Sequence, residues 1–325
     1  MNIAEIARMA GVSRAAVSRY LNDGYLSEQK REAIHRVVEE TGYRPSVQAQ
    51  TLRTRKTRMI GVIIPKLASA SVGRIVEGIL SVLNESGYQM LLALTQNDSH
   101  RELEYLHAFH GKQVDGVILV ATCFTPGHRR MFRESAVPVV IVGQRLSGQC
   151  SVFHDDYNAS CDLTRLFLEK GRCRLGYLSA THRDAAAGAE RYRGFCDAVR
   201  EQGHEELAEH FVTAAFTVAS GYEKAAELYK RYPDMDGLIC ASDTIAVGAM
   251  RYLREQGIRI PEQILVAGHG DSDLAGVTEP PLTTVHYFYE KSGETAATML
   301  TELLDGREGA VKEVKLGYYI VDRAK

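Results

Sequence analysis

Apolar positions in the first sixty residues recur at helical spacing, in short bursts. Ile3, Ile6, Ala7 and Ala10 form one stripe. Gly11 can take the positive φ that ends such a helix, and Ser13 is a good N-cap for the next one. Residues 14–22 then predict a second short helix, with Val17 and Leu21 four apart on its inner face. Its outward positions are Arg14, Ala15, Ser18, Arg19 and Asn22. A third helix is predicted over 28–41, capped by Ser27, striped by Ile34, Val37 and Val38 and ended by Gly42. Pro45 forces extended backbone before it. Residues 46–53 read as a short helical run with Ser46 as cap and Ala49 and Leu52 on one side. Alone it is marginal in water, so it needs a symmetry mate or a nucleic-acid groove. Arg53–Arg58 is a basic connector.

From Met59 the pattern changes. MIGVIIP is a continuous apolar run of strand length, and further runs follow at 88–94, 114–120, 137–143, 174–179, 236–242 and 264–268. Amphipathic helical stretches separate them at 72–86, 101–110, 157–169, 188–201, 220–231, 244–257 and 290–304. Strands apolar on both faces, alternating with helices, predict parallel sheets covered on both sides. Roughly ten such units exceed one open sheet, so two doubly wound lobes are expected. There is no tandem repeat and no low-complexity segment.

A short helix, a glycine turn and a second helix with a small and basic outer face form the layout of a helix-turn-helix. The second helix could enter a DNA major groove, because the side chains near its start are not bulky. Charge supports this division. Residues 1–58 carry 11 Lys/Arg against 6 Asp/Glu, while the other 267 residues carry 28 against 35. A basic head on an acidic body suits a head that meets phosphate. Cys123, Cys150, Cys161, Cys173, Cys196 and Cys240 are irregularly spaced with no C-x-x-C, which reads as reduced thiols of a cytoplasmic protein. The N-terminus has Glu5 and Arg8 where a signal peptide would be apolar. No apolar run reaches the length of a membrane span.

Taken together these pieces resemble the lactose-repressor-type (LacI/GalR) family of transcription regulators. The resemblance rests on IAEIARMAGVSRAAVSRYLN at the start, YRPSVQAQTLR at the hinge, IGVIIP opening the body, and then VDGVIL, FHDDYNAS, GRCRLGYLS, ERYRGF, ICASDTIAVGAM, VAGHGDSD and PPLTTV in that order. It implies an α/β chain with an N-terminal helix-turn-helix head and a two-lobed, periplasmic-binding-protein-like body of doubly wound parallel sheets. The implied divisions are a DNA-binding domain at 1–45, a hinge helix and linker at 46–58 and an effector-binding body at 59–325. The N-lobe of that body would take 59–156 and 288–313, and the C-lobe 157–287 and 314–325. Such regulators are homodimers whose paired heads read a palindromic operator, and a small ligand between the lobes changes operator affinity.

The resemblance also nominates residues. Arg14 matches a position that touches base edges and could pair with guanine O6 and N7; a phosphate or solvent contact is the alternative. Ala15 offers only apolar contact, such as to a thymine methyl. Ser18, Arg19 and Asn22 match base or phosphate contacts, and Ser13 serves as cap and phosphate neighbour. Ala16 departs from the threonine often found there, and Tyr20 reads as core. Leu52 matches a leucine wedged into the minor groove, with Ala49 as the small partner that lets two hinge helices approach; Val47 and Gln48 depart from the usual choices. For the ligand, open α/β sheets bind at the C-terminal ends of strands. Ser69 and Ser71 follow the first strand. Arg191 matches the arginine of R-x-x-G-F, Asp155 the acidic position of FHDDYNAS, and Ser242 a polar ligand contact. Asp243 could bind ligand or cap its helix. Asp271 stands beside Gly270, where the family usually carries two acids. Tyr287 and Tyr289 could stack on a sugar ring or pack in the lobe crossover.

Chemistry of other classes finds little footing. His154, Asp155 and Asp156 are adjacent, and adjacent strand residues do not converge on one metal ion. GHGDSDLAG carries Asp273 where a dinucleotide fingerprint needs its third glycine. The expectation is a cytoplasmic, sugar-responsive repressor with no cofactor, no catalytic residues and no metal, and with operator DNA, a small effector and a second copy as partners. The serine-bearing first loop leans toward a neutral sugar of the sucrose or maltose kind, although the family has purine-binding members too. A soluble carbohydrate-binding protein or a sugar-modifying enzyme is the alternative.

Overall fold

In the computed structural model, which describes residues 1–43, 56–111, 114–306 and 311–324, the N-terminal unit is built from α1 (Ile3–Met9), α2 (Arg14–Tyr20) and α3 (Glu28–Thr41). Asn2 caps α1: its Oδ1 accepts from the amides of Ala4 and Glu5 at 2.9 and 3.1 Å, and Glu5 accepts from the Asn2 amide in return. Gly11 turns the chain at φ +65°. The Ser13 hydroxyl then accepts from the Ala16 amide at 3.2 Å. Ser27 stands at the N-cap of α3 without a side-chain cap bond. The three helices close on Ile6, Ala7, Ala16, Val17, Ile34 and Val37. The second helix stops at Tyr20 rather than Asn22: the Asn22 backbone amide donates to the Arg19 carbonyl at 3.2 Å and its side-chain Nδ2 to the Ser18 carbonyl, which rounds off the turn. The expected hinge helix, with Ala49 and Leu52, lies outside the described residues.

The chain divides into two compact units, Met1–Thr57 and Arg58–Lys325. Arg58 belongs to the second, which corrects its assignment to the connector: its amide donates to the Asp115 carboxylate at 2.9 Å, and its guanidinium lies 5.2 Å from the Tyr88 ring centroid.

The first sheet of the body gathers β1 (Met59–Ile64), β2 (Gln89–Leu94), β3 (Gly116–Val120), β4 (Val139–Val142), β5 (Cys150–His154) and β11 (Glu313–Leu316) in the order β11-β5-β4-β3-β1-β2, all parallel. Between them run α4 (Ala70–Glu85), α5 (Ser99–His110) and α6 (Pro126–Glu134). The second sheet gathers β6 (Leu175–Ser179), β7 (Phe211–Thr213), β8 (Gly237–Cys240), β9 (Leu265–His269), β10 (Thr283–Tyr287) and β12 (Tyr318–Val321) in the order β12-β10-β9-β8-β6-β7. Its helices are α7 (Asp156–Glu169), α8 (Arg191–Glu201), α9 (Val218–Arg231), α10 (Asp243–Glu255) and α11 (Asp273–Val277). A π-helical turn, Ala185–Glu190, leads into α8. Helix α12 (Tyr289–Leu304) returns to the first sheet and packs on α4.

Alternation along the central strands feeds helices on both faces. Ile63, Leu119 and Ile141 meet Phe109 and Phe132 on one side of the first sheet, whereas Val62, Ile118 and Val140 meet Ile79 and Leu300 on the other. The α4–α12 contact is close enough that a Cβ at Gly78 would sit 2.0 Å from the Glu290 carbonyl oxygen, and one at Gly293 2.0 Å from that of Ile75.

Two expectations need correction. The last lobe crossover falls at Gly317, between β11 and β12, not at 313/314, because Glu313–Leu316 pairs with β5. The second sheet is not wholly parallel, since β12 runs antiparallel to β10 along its edge.

Candidate nucleic-acid interface and ligand cavity

In the N-terminal unit, α2 presents Ser13, Arg14, Ala15, Arg19 and Asn22 to solvent, with Ser18 half-buried, while Ala16 and Val17 turn inward. Tyr20 is half-buried against the core, and its hydroxyl lies 2.7 Å from His35 Nδ1. The outer face of α2 thus carries small and cationic groups on a rigid three-helix support, the arrangement a groove reader needs.

In the body, both sheets aim the carboxyl ends of their strands at one cavity of about 240 Å³. The first sheet contributes the turns after β1, β3, β4 and β5; the second contributes those after β7, β8 and β9 together with the π-helical turn. This is where a doubly wound sheet binds ligands. Five expected residues come together in its wall: Ser69, Ser71, Arg191, Ser242 and Asp243. The hydroxyls of Ser69 and Ser71 are 3.0 Å apart. Ser242 caps α10, its hydroxyl accepting from the Ile245 amide at 3.3 Å.

Arg191 is the centre of the polar wall. It is 6% exposed. Its Nε donates to Asp156 Oδ1 at 2.7 Å, its Nη1 to the Ala241 carbonyl at 2.6 Å, and its guanidinium lies 4.8 Å from the Tyr287 ring centroid. Asp243 is buried and fully engaged, accepting from the Ser272 amide and hydroxyl at 2.7 and 2.9 Å and from the Thr284 hydroxyl. Burial raises its pKa, and the donors of Ser272 and Thr284 oppose that rise. A Cβ at Gly268 would stand 2.5 Å from Asp243 Oδ1, so glycine makes room for this carboxylate.

Three expected ligand residues are not in the wall. Asp155 pairs with Lys315 at 2.7 Å and accepts from Asn158 at 2.8 Å; it stands at the N-cap between β5 and α7, whereas its neighbours His154 and Asp156 are buried in the wall. Asp271 is held by Arg323 at 2.7 Å and by His286 at 2.9 Å. Tyr287 is fully buried beneath Arg191, and Tyr289 takes the place in the wall.

Sequence reasoning missed Asp156, Asp184, His154, His269 and Phe216, which all line the cavity. Asp184 Oδ1 accepts from the amides of Ala186 and Ala187 at 3.1 and 3.0 Å, and from Gln144 at 3.2 Å across the cleft. Burial pushes its pKa up to about 6. Burial and the nearby Arg191 charge pull that of His269 down to about 3. Arg74 donates to the Gly270 carbonyl at 2.5 Å, a second link between the lobes. Among the described residues no cluster of three or more His, Cys, Asp or Glu is placed to hold a metal ion, and no helix is long and apolar enough to cross a membrane.

Residues 2–46 match the family described as bacterial regulatory proteins, lacI family, and residues 164–324 match the periplasmic binding protein-like domain. The sucrose operon repressor of Staphylococcus xylosus is 31% identical over 303 residues, 93% of each chain. The chain belongs to the LacI family. Two solved structures share the architecture of this LacI-family regulator throughout. The transcriptional regulator CelR in complex with cellobiose aligns with a TM-score of 0.76 at 29% identity, covering 99% of this chain and 98% of that one. The lac repressor dimer bound to operator and an anti-inducer aligns with a TM-score of 0.91 at 21% identity, over the same shares, and shows the common fold. This LacI-family regulator is therefore a DNA-binding transcriptional regulator: α2 belongs to its reading head, and the cavity lies in its ligand-responsive body. The alternatives of a free-standing carbohydrate-binding protein or a sugar-modifying enzyme leave the head without a role, and the relatives are transcriptional regulators.

Proposed function

We propose that the chain is a cytoplasmic, homodimeric repressor whose paired heads read a palindromic operator and whose cavity takes a small carbohydrate that resets operator affinity. The observation that carries this reading is the convergence of strand ends from both sheets on one cavity walled by Arg191, Asp156, Asp243 and the Ser69–Ser71 pair. A sugar needs such paired donors and acceptors beside an apolar face, which Tyr289 and Phe216 supply. CelR, of like fold, is solved with cellobiose. A ligand seated between two lobes favours one lobe angle by its differential contacts.

In the head, Arg14 pairs with a guanine edge and Ala15 meets a thymine methyl, while Ser13, Ser18, Arg19 and Asn22 contact phosphate or neighbouring bases. Leu52, with Ala49 beside it, wedges into the minor groove at the operator centre. The test is operator affinity, measured by fluorescence anisotropy, with and without saturating sucrose, cellobiose or maltose. A change of fivefold or more with one of them, lost in Arg191→Ala, is expected. Operator affinity that ignores every sugar tested, in a chain that binds the operator, contradicts the carbohydrate reading.

A further inference from the structure

Asp184 stands in the cleft with only half of its carboxylate engaged. Oδ1 accepts from three N–H donors: the amides of Ala186 and Ala187 at 3.1 and 3.0 Å and, from the opposite lobe, Gln144 Nε2 at 3.2 Å. Gln144 is buried, and its Nε2 also donates to the Thr122 carbonyl, so it reaches Asp184 from a fixed position. The bond to Gln144 joins the two lobes, which places the carboxylate between them, and Asp184 lines the cavity with Ala186, Ala187 and Arg191. Oδ2 has no hydrogen-bond partner among the described residues. The residue is only partly buried, and Oδ2 is not one of the atoms sealed from solvent. The oxygen is therefore both unpaired and reachable. Burial, opposed by the Ala187 amide and the Arg191 charge, is what holds this group near 6. Arg191 does not pair with it, because Nε is spent on Asp156 and Nη1 on the Ala241 carbonyl. A partly desolvated acceptor without a donor is costly, and a bound O–H removes that cost.

We propose that Asp184 is a specificity-determining residue whose Oδ2 accepts from one hydroxyl of a carbohydrate effector, with Gln144 as the positioning residue that holds the carboxylate for it. This rests on the reading of the cavity as a carbohydrate site. Selectivity follows from the way the group is held. Three donors on Oδ1 fix the carboxyl plane, so Oδ2 meets a hydroxyl at one place and not at another. An analogue that lacks or inverts that hydroxyl leaves the oxygen unpaired, and a site built on a polar contact rejects such an analogue strongly. Because Gln144 comes from the opposite lobe, the carboxylate is held this way only while the lobes stand this close. Recognition of that hydroxyl therefore favours the same lobe angle.

The experiment is calorimetry of the full chain, Asp184→Asn and Gln144→Leu with sucrose, cellobiose and maltose between pH 5 and 7.5. Asparagine keeps one carbonyl oxygen for the three N–H donors and so turns its NH2 toward the place of Oδ2, replacing an acceptor by a donor. At least one of these sugars binds the parent chain, and Asp184→Asn weakens its binding about tenfold or more. A donated O–H favours the ionised carboxylate, so bound sugar lowers the Asp184 pKa. Parent affinity then rises roughly threefold or more from pH 5 to 7 and flattens above. Asp184→Asn lacks that rise. Gln144→Leu, which keeps the carboxylate but unhooks it from the opposite lobe, binds the sugar more weakly than the parent and retains the rise. The other charged groups facing Asp184 are Asp156, Arg191, Asp243, His154 and His269 in the wall and His182 on its own turn, and all are intact in Asp184→Asn. A rise that survives in Asp184→Asn belongs to one of them and overturns the inference. Sugar bound as tightly by Asp184→Asn as by the parent overturns it too, and leaves the carbohydrate reading standing. Binding of none of the three sugars to the parent overturns the carbohydrate reading and takes this inference with it. Carbon-13 carboxyl spectra of the parent need no variant: the Asp184 midpoint near 6 falls when the bound sugar is added, and an unmoved midpoint contradicts the assignment.

Discussion

Asp155 and Asp156 are neighbours with opposite fates, since one bonds Lys315 at the edge of the first sheet and the other holds Arg191 inside the cavity. Arg191→Ala would leave the buried Asp156 carboxylate without its counter-charge. Loss of about 3–5 kcal/mol is expected in chemical denaturation; Asp156→Asn in the same background should recover part of it. The two titrating groups of the cavity pull stability in opposite directions. His269 titrates near 3 when folded and at about 6.5 when unfolded. Its contribution is therefore whole above pH 6.5 and is lost as pH falls toward 3. Asp184 titrates near 6 when folded, against an ordinary value of 3.8, so the folded chain holds the extra proton and stability falls as pH rises from about 4 to 6. The excess of the denaturation midpoint at pH 6 over that at pH 4.5 should thus shrink or reverse in His269→Phe and grow in Asp184→Asn. Midpoint gaps identical in all three chains would refute those shifts. The arginine was legible because R-x-x-G-F is a local signature. His154, Asp184 and His269 were not, since their role depends on which way a strand end or a π-helical turn faces and no spacing announces that.

Among the elements, helix pairs are joined by glycines rather than by large side chains. Gly293→Ala would push a methyl group into the Ile75 carbonyl across the α4–α12 contact. Destabilisation of about 1–3 kcal/mol is expected from overpacking, read as a lowered melting temperature; an unchanged one would show that the two helices part freely. In α2, Arg14→Ala should cost about 1–3 kcal/mol on the preferred operator and little on a duplex altered at the contacted base pair. Equal losses on both duplexes would make Arg14 a phosphate contact. Most elements could be read from periodicity: the three head helices, and the strand–helix alternation from Met59 onward. Besides β5, β10 and α6, what escaped was short or polar. β7 has three residues, α11 has five, and β11 reads EVKL with its side chains exposed or half-buried. Pairing with a neighbouring strand, rather than an apolar run, makes a strand of β11, and that pairing moved the final crossover to Gly317.

For the whole molecule, charge and architecture divide the labour between a basic head and an acidic body that contains the cavity. The two-lobe plan was legible because roughly ten strand–helix units are too many for one open twisted sheet; the identity of the ligand was not, because it depends on a few wall side chains. If effector and operator are coupled through the lobe angle, each must alter the affinity of the other by the same factor. The most direct test of the central claim is a fluorescence anisotropy titration of a palindromic duplex from upstream of the coding region, repeated across salt concentrations with the full chain and with residues 58–325. The full chain should saturate at two copies per duplex. Its log affinity should fall with log salt at a slope of roughly −5 to −9, as for six to ten phosphate contacts, and the body alone should not bind. A full chain that forms no complex at low salt, or a body that binds as well without the head, would contradict the account.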